Sequence, residues 1–157
     1  MRIVLVAVGA VKGPLAGAVS EYEGRAGRYW KLEVAQVAAG APGRASSPER
    51  VRDQEAERIL ACLPEDAEVW ALTRKGKRLS SRDLAQELQE RALRSVPGVA
   101  FVIGGAFGLG APVLERAALR LSLSSLTFPH EMARLVLAEQ LYRAGTILRG
   151  EPYHKGA

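Results

Sequence analysis

The chain has 157 residues, of which 48% are hydrophobic and 25% charged, so it can bury a core as one domain over 1–157, and global disorder is excluded. Its net charge of +5 is compatible with a polyanionic partner such as RNA, although many basic proteins bind no nucleic acid. One cysteine, Cys62, permits neither an internal disulfide nor a cysteine-based zinc site, and two histidines without a carboxylate cluster predict no metal. The apolar stretch 99–114 is too short and too rich in glycine to span a membrane, so we expect a soluble protein of the reducing cytoplasm.

Strands and helices alternate along the chain. Apolar, β-branched runs predict strands that are buried on both faces, and Ser or Pro at helix starts predicts where several helices begin. The predicted strands are 3–8, 31–37, 68–72 and 99–103. The predicted helices are 15–29, 48–62, 81–93, 112–121 and 129–148, with loops at 38–48 and 73–79. This order predicts an α/β fold with a mostly parallel sheet flanked by helices.

The last predicted helix is apolar on more than one stripe. Such a helix must be covered on most of its faces. A second subunit would cover it and make a homodimer; alternatively, the sheet and a neighbouring helix would do so.

Two segments of the C-terminal third suggest a ligand pocket built from main chain. The glycine turn, residues 104–110, follows an apolar strand and precedes a helix, and its glycines let backbone N–H groups approach a ligand closely. The hydroxyl loop, residues 122–128, contains three serines and a threonine and ends before Pro129. Taken alone, Gly104-Gly105 is equally consistent with a tight turn that binds nothing.

Several linked motifs identify a family. In order, they are Val6-Ala7-Val8-Gly9, Ile103-Gly104-Gly105 with Gly108, Leu121-Ser122-Leu123-Ser124, Leu126-Thr127, Pro129-His130, Glu139-Gln140-Leu141-Tyr142-Arg143-Ala144 and Pro152-Tyr153-His154-Lys155. Their order and spacing over essentially the whole length closely resemble the RlmH (YbeA) family of ribosomal RNA large-subunit methyltransferases.

The resemblance implies a SPOUT methyltransferase fold with a C-terminal trefoil knot, a feature that is very rare in proteins. It implies a homodimer that binds S-adenosylmethionine in the loops of the knot. It also implies methylation of N3 of a pseudouridine in large-subunit ribosomal RNA, on the assembled ribosome.

The resemblance also assigns cofactor-binding residues. They are Leu72, Gly104, Gly105, Ser122, Leu123, Ser124, Ser125, Leu126, Thr127 and Phe128. Backbone groups between apolar side chains can hold an adenine ring, although each of these leucines, considered alone, is also consistent with core packing.

Two positions depart from the family pattern. Many relatives have Gly-Gly-Pro-Glu-Gly where this chain has Gly-Gly-Ala-Phe-Gly, so Phe107 stands at an acidic position. Many also have an acidic residue where this chain has Thr73. The loss of two carboxylates leaves the fold assignment intact and raises the question of full activity.

The candidate catalytic residues are His154, Tyr153 and His130. Methyl transfer to a uridine-type N3 requires in-line positioning and removal of the N3 proton. In the family the C-terminal tail lies near the active site, which makes His154 a candidate base and Tyr153 a candidate contact to the target base. A terminal histidine is otherwise solvated, and His130 better fits a helix-start or substrate-orienting role.

A cluster of cations, the basic segment of residues 74–78, is the strongest RNA-binding signal. Arg74, Lys75, Lys77 and Arg78 can reach phosphates, with an affinity that falls as salt rises. The alternative is a solvated loop. Arg134 and Arg143 are further candidates for RNA contacts, unless they only form ion pairs with Glu131 or Glu139.

Three functions therefore stay open. The first is a ribosomal RNA pseudouridine methyltransferase, the second a SPOUT enzyme acting on another RNA such as tRNA, and the third a non-catalytic RNA- or ribosome-binding dimer. A dinucleotide-binding oxidoreductase is disfavoured, because no Gly-x-Gly-x-x-Gly follows the first predicted strand.

Overall fold

A computed structural model describes residues 1–41, 43 and 46–156. Its strands are β1 (Arg2–Val8), β2 (Lys31–Val37), β3 (Ala67–Arg78), β4 (Gly98–Ile103) and β5 (Leu119–Ser122). Its α-helices are α1 (Ala16–Ala26), α2 (Pro48–Cys62), α3 (Ser81–Leu93), α4 (Ala111–Arg116) and α5 (His130–Leu148), with 3-10 turns at Gly13–Leu15 and Pro152–His154. The strands form one parallel sheet in the order β2-β1-β4-β3-β5. The predicted α/β class is confirmed.

The two faces of the sheet bury two apolar layers. Along β1, Ile3 and Leu5 point into a layer that contains residues of α1, α3 and α5, whereas Val4 and Val6 point into a layer with residues of α2 and α4. Alternate residues of a strand face opposite sides of a sheet, so a strand covered on both faces is a continuous apolar run.

The helix starts follow from the sequence. The Ser47 side chain accepts a hydrogen bond from the Arg50 backbone N–H at 3.2 Å, and Pro48 occupies the first turn of α2. At the start of α3, Ser80 and Asp83 form a capping box. Hydrogen bonding to Ser80 lowers the pKa of Asp83 below its ordinary value.

Two sequence predictions are wrong, and both concern the edge of the sheet that β3 and β5 form. The segment 73–79 is not a loop, because β3 continues to Arg78 and pairs again with β5 at Lys77 and Arg78. The helix predicted over 112–121 ends at Arg116, and the four residues of β5 follow. The predicted loop 38–48 contains residues 42, 44 and 45, which lie outside the described residues.

Gly76 permits the second contact between β3 and β5. A Cβ atom there would lie 2.6 Å from the carbonyl carbon and oxygen of Arg120, closer than real Cβ contacts come. Only glycine lets the basic segment cross the backbone of β5 at this distance.

Helices of the same chain cover much of α5. Leu137, Leu141 and Ala144 are fully buried in the layer shared with α1 and α3, whereas Met132 is 40% exposed. The described part of the chain contains no helix long and apolar enough to cross a membrane. It also contains no group of three or more histidine, cysteine or acidic residues arranged to hold a metal ion.

Candidate cofactor pocket and RNA surface

The carboxyl ends of three neighbouring strands bring the predicted cofactor residues together. Ala71 of β3 pairs with Val102 of β4, and Leu72 pairs with Leu121 of β5. The glycine turn follows β4 on one side of Leu72, and the hydroxyl loop follows β5 on the other side. Helices after β3 and β4 pack on opposite faces of the sheet, an arrangement that opens a crevice at the strand ends.

Backbone contacts hold the glycine turn. The Gly108 N–H donates to the Gly105 carbonyl at 3.1 Å, and Gly108 has a φ of +79°. A Cβ atom at Gly104 would lie 2.9 Å from the carbonyl carbon of Gly108, and one at Gly105 would lie 2.9 Å from the Glu55 carboxylate. Gly104 is needed because the turn is tight, whereas Gly105 is needed because the side chains of Glu55 and Val8 pack against it. This result is consistent with both the tight turn and the close approach of a ligand.

Side-chain hydroxyls organise the hydroxyl loop. The buried Ser122 hydroxyl lies 2.9 Å from the carbonyl oxygens of both Arg74 and Ser124, and it can donate to one of them at a time. The Ser124 hydroxyl accepts from the Leu126 N–H at 3.0 Å. Ser125 and Thr127 are exposed, and so is 69% of Leu126. The centre of the loop is therefore exposed to solvent, whereas its first residue, Ser122, can hydrogen-bond to β3.

A cavity of about 290 Å³ adjoins the base of the hydroxyl loop. It is lined by Leu79, Ser80, Ser81, Leu84, Leu121, Ser122, Leu123, Val136 and Gln140. The Ser81 hydroxyl donates to the Gln140 amide oxygen at 2.6 Å, and the Gln140 amide donates to Glu139 at 2.7 Å. These bonds connect the cavity wall with the carboxylate of Glu139 on α5.

The same carboxylate fixes the C-terminal tail. Tyr153 donates its hydroxyl to Glu139 Oε1 at 2.9 Å, and Arg143 donates to that oxygen at 2.7 and 3.0 Å. The Tyr153 ring packs on Tyr142, with centroids 4.5 Å apart, and under the guanidinium of Arg143. Burial and then hydrogen bonding to Glu139 raise the pKa of the Tyr153 phenol well above its ordinary value. Tyr153 is therefore a neutral, oriented hydroxyl.

The two histidines occupy different environments. His130 is the first residue of α5, and its ring lies against Gly9, where a Cβ atom would come within 3.0 Å of Cε1. His154 ends the second 3-10 turn, and its Nδ1 is buried without a hydrogen-bond partner in the described part of the chain.

The basic segment presents four exposed cations along the extension of β3. Arg74 donates to the Thr127 hydroxyl at 3.1 Å, and Lys77 pairs with Glu87 at 3.1 Å. The strand geometry replaces the predicted loop but keeps these side chains on the surface beside the hydroxyl loop.

Arg134 does not lie on this surface. It is only 4% exposed and forms a two-point ion pair with Glu23, through Nε at 2.6 Å and Nη2 at 3.2 Å. Its location argues against the predicted RNA contact, and its partner is neither of the two expected. Arg143 is bound to Glu139, as the alternative reading allowed.

Sequence reasoning missed Glu55 on α2. Its carboxylate is buried directly behind Gly105. Helical periodicity would have found it, because Val51, Glu55, Ala56 and Ile59 lie on one buried face of α2.

Comparison with known proteins agrees with this geometry. The family model described as "Predicted SPOUT methyltransferase" matches residues 1–154. The fold and site therefore define a SPOUT methyltransferase, an enzyme of the methyl-transferring class.

Curated relatives specify the branch of the family. The chain is 54% identical over 156 residues to "Ribosomal RNA large subunit methyltransferase H" of Gemmatimonas aurantiaca, with 99% of this chain and 100% of the relative covered. It is 45% identical over 159 residues to "Putative ribosomal RNA large subunit methyltransferase H" of Methanoregula boonei, with the same coverage. The chain belongs to the ribosomal RNA large subunit methyltransferase H family.

Solved structures share the fold at low identity. A probable methyltransferase from Bordetella pertussis Tohama I has a TM-score of 0.58 at 18% identity, covering 91% of this chain and 95% of its own. A probable methylase family protein from Haemophilus influenzae Rd KW20 has a TM-score of 0.53 at 15% identity, covering 99% and 70%. At these identities the likeness concerns the fold alone.

Proposed function

We propose that this protein uses S-adenosylmethionine to methylate N3 of a pseudouridine in large-subunit ribosomal RNA, on the assembled ribosome. The observation that carries the proposal is the meeting of Leu72, the glycine turn and the hydroxyl loop at one edge of the sheet. Full-length identity of 54% to a protein named as a ribosomal RNA large subunit methyltransferase supports the substrate class.

The residues at the strand ends fit the cofactor. Leu72, Leu123 and Leu126 offer apolar surface, and the turn offers backbone N–H groups at glycines, which have no side chain of their own. The Ser122 hydroxyl holds the start of the hydroxyl loop against β3. S-adenosylmethionine, when bound, supplies a methyl group on a positively charged sulfonium.

In this proposal the tail residues orient the target base. The raised pKa keeps the Tyr153 phenol protonated, so it is a poor base, and because its proton is donated to Glu139, its oxygen is left to accept a hydrogen bond. Glu139 and Arg143 hold the tyrosine in place. His154 remains the proposed acceptor of the N3 proton, and His130 is assigned to the start of α5 rather than to proton transfer.

The basic segment is the proposed RNA contact, through Arg74, Lys75, Lys77 and Arg78. It runs beside the hydroxyl loop, so phosphates bound there would lie next to the proposed methyl donor.

A homodimer and a trefoil knot complete the proposal. Phe107, Leu126 and Met132 expose apolar surface near the strand ends and the start of α5, which supports a second copy packing there. The close crossing of β3 over β5 at Gly76 supports a threaded C-terminal segment. We place the protein in the cytoplasm, where ribosomes are its substrate.

Two alternatives keep the same pocket. A SPOUT enzyme acting on another RNA, such as tRNA, would share all the geometry. A non-catalytic RNA- or ribosome-binding dimer is favoured only by the missing carboxylates at Thr73 and Phe107.

Methylation assays with defined substrates separate these functions. The purified chain is incubated with labelled S-adenosylmethionine and 70S ribosomes, free ribosomal RNA or tRNA, and the modified nucleoside is identified by mass spectrometry. We expect N3-methylpseudouridine on ribosomes and none on tRNA. Labelled tRNA would establish the second function, and cofactor binding without labelling of any substrate would establish the third.

His154→Ala and Tyr153→Phe test the tail in the same assay. We expect His154→Ala to reduce turnover at least about 100-fold if it accepts the proton, while cofactor affinity is unchanged. Tyr153→Phe should raise the KM for ribosomes more than it lowers kcat. Full activity of His154→Ala would remove this residue from the mechanism.

A further inference from the structure

A buried carboxylate lies behind the glycine turn, and the reaction as described makes no use of it. Glu55 of α2 is 3% exposed. Its Oε2 accepts the Gly40 backbone N–H at 2.9 Å, whereas Oε1 is buried and has no hydrogen-bond partner in the described part of the chain. One oxygen of this carboxylate therefore has a hydrogen-bond partner, and the other has none in the described part of the chain.

The unpartnered oxygen lies against the backbone of the glycine turn. A Cβ atom on Gly105 would lie 2.9 Å from Oε1 and 3.0 Å from Oε2, and 3.0 Å from Cγ1 of Val8. Glu55 therefore packs directly against the backbone of Gly105, on the side that a side chain at this position would occupy. The glycine turn itself, residues 104–110, contains no charged residue.

Two arginines of α2, within the described part of the chain, are engaged elsewhere. Arg58 donates to the carbonyl oxygens of Ala38 and Gly40 at 2.8 and 2.7 Å. Arg52 donates to the Phe107 carbonyl at 3.4 Å and pairs with Glu49 at 3.6 Å. Neither of these arginines forms an ion pair with Glu55.

An ionised carboxylate without a paired cation is costly to bury, and Coulomb interactions are stronger in a poorly solvated interior than in water. A cation that binds on the far side of Gly105 would relieve this cost, whereas a neutral ligand would not. The electrostatics of the pocket therefore depend on the charge of its occupant.

We propose that Glu55 is a specificity-determining residue that makes the pocket prefer the cationic methyl donor to its neutral demethylated product. This inference rests on the proposed function. Methyl transfer moves CH₃⁺ from the sulfonium to the N3 nitrogen, the S–CH₃ electron pair stays on sulfur, and the N3 proton leaves. The sulfonium becomes a neutral thioether, so the attraction to Glu55 is lost after transfer and release of the product is favoured.

Calorimetric titration of the full-length protein with S-adenosylmethionine and with S-adenosylhomocysteine tests the proposal. In Glu55→Gln, the amide keeps the size of the side chain and can still accept the Gly40 N–H. We expect this variant to bind the methyl donor about tenfold more weakly while its affinity for the product changes less than about twofold. Equal weakening for both ligands, or no change for either, would overturn the proposal.

Three further samples separate charge from structure. Glu57→Gln removes an exposed carboxylate from the same helix and should leave both affinities unchanged. Glu55→Asp keeps the charge on a shorter side chain, so the ratio of the two affinities should stay near the wild-type value even if both affinities fall. A changed ratio in Glu55→Asp would instead show that shape sets the preference. If the unaltered protein binds neither ligand, the proposed function itself fails, an outcome distinct from binding with an unchanged ratio.

Discussion

The glycine turn and the hydroxyl loop flank the same candidate pocket, but they are held in different ways. The glycine turn is closed by its own backbone hydrogen bond, and the buried Glu55 supports it from behind. The hydroxyl loop depends on the Ser122 and Ser124 hydroxyls at its base, and Leu126 at its centre is 69% exposed. A segment with few buried contacts has low local stability. We therefore expect one wall of the candidate pocket to be formed in advance and the other to gain order when a ligand binds.

The largest effect should come from the crossing that anchors the hydroxyl loop. Gly76→Ala places a methyl group 2.6 Å from the Arg120 carbonyl, where only backbone is available to move. We expect a loss of about 3 kcal/mol in the free energy of unfolding, measured by urea denaturation, together with loss of cofactor binding. Gly17→Ala in α1 is the matched control, because a Cβ atom there has no neighbour within 4 Å and should be neutral or stabilising. Equal stability of the two variants would show that β3 does not need this close approach.

The next largest effect should fall on the glycine turn. Gly104→Ala brings a methyl group to 2.9 Å from the Gly108 carbonyl carbon and to 3.0 Å from the Leu109 side chain. Because the turn is rigid, we expect a cost of about 2 kcal/mol in stability and a loss of cofactor affinity of at least about tenfold. Calorimetry with S-adenosylmethionine and thermal unfolding measure the two effects. Wild-type affinity in a stable variant would mean that the turn only connects β4 to α4.

The sequence identified the rigid wall more readily than the adaptable one. β4 is wholly apolar and is followed directly by two glycines, so both the strand and the turn can be predicted from local pattern. β5 has only four residues, which cannot be told from the end of a helix, and the basic segment resembles a solvated loop. Each becomes a strand only by pairing with the other, and no local pattern contains this contact, because the paired residues are 44 to 49 positions apart in the chain.

Glu55 was missed for a different reason. An acidic residue in a polar helix is usually on the surface, and only its position on the buried face of α2 distinguishes it. The family resemblance supplied the candidate residues, but it did not show that Arg134 is buried against Glu23.

A smaller effect is expected at the base of the hydroxyl loop. Ser122→Ala removes a buried hydroxyl that bonds the carbonyl of Arg74 or Ser124, at a cost of about 1 kcal/mol. We expect faster hydrogen exchange of the loop amides in the free protein and a smaller difference once cofactor is bound, as measured by mass spectrometry. Ser20→Ala, at an exposed position of α1, should change neither. Equal protection of the free and bound loop in the wild type would contradict the idea that a ligand orders this wall.

The smallest structural effect should come from Arg74, whose side chain reaches the hydroxyl loop from the basic segment. Arg74→Gln loses an exposed hydrogen bond of 3.1 Å to Thr127, so stability should change by less than about 0.5 kcal/mol. Cofactor affinity should be nearly unchanged, because the arginine lies outside the proposed cofactor contacts. Ribosome binding should weaken, and the slope of log affinity against log salt should fall by about one unit if Arg74 contacts a phosphate. Arg94→Gln, an exposed arginine at the end of α3, is the control and should leave the slope unchanged. If Arg74→Gln also leaves the slope unchanged, Arg74 belongs to the pocket wall alone and the RNA surface must begin further along the basic segment.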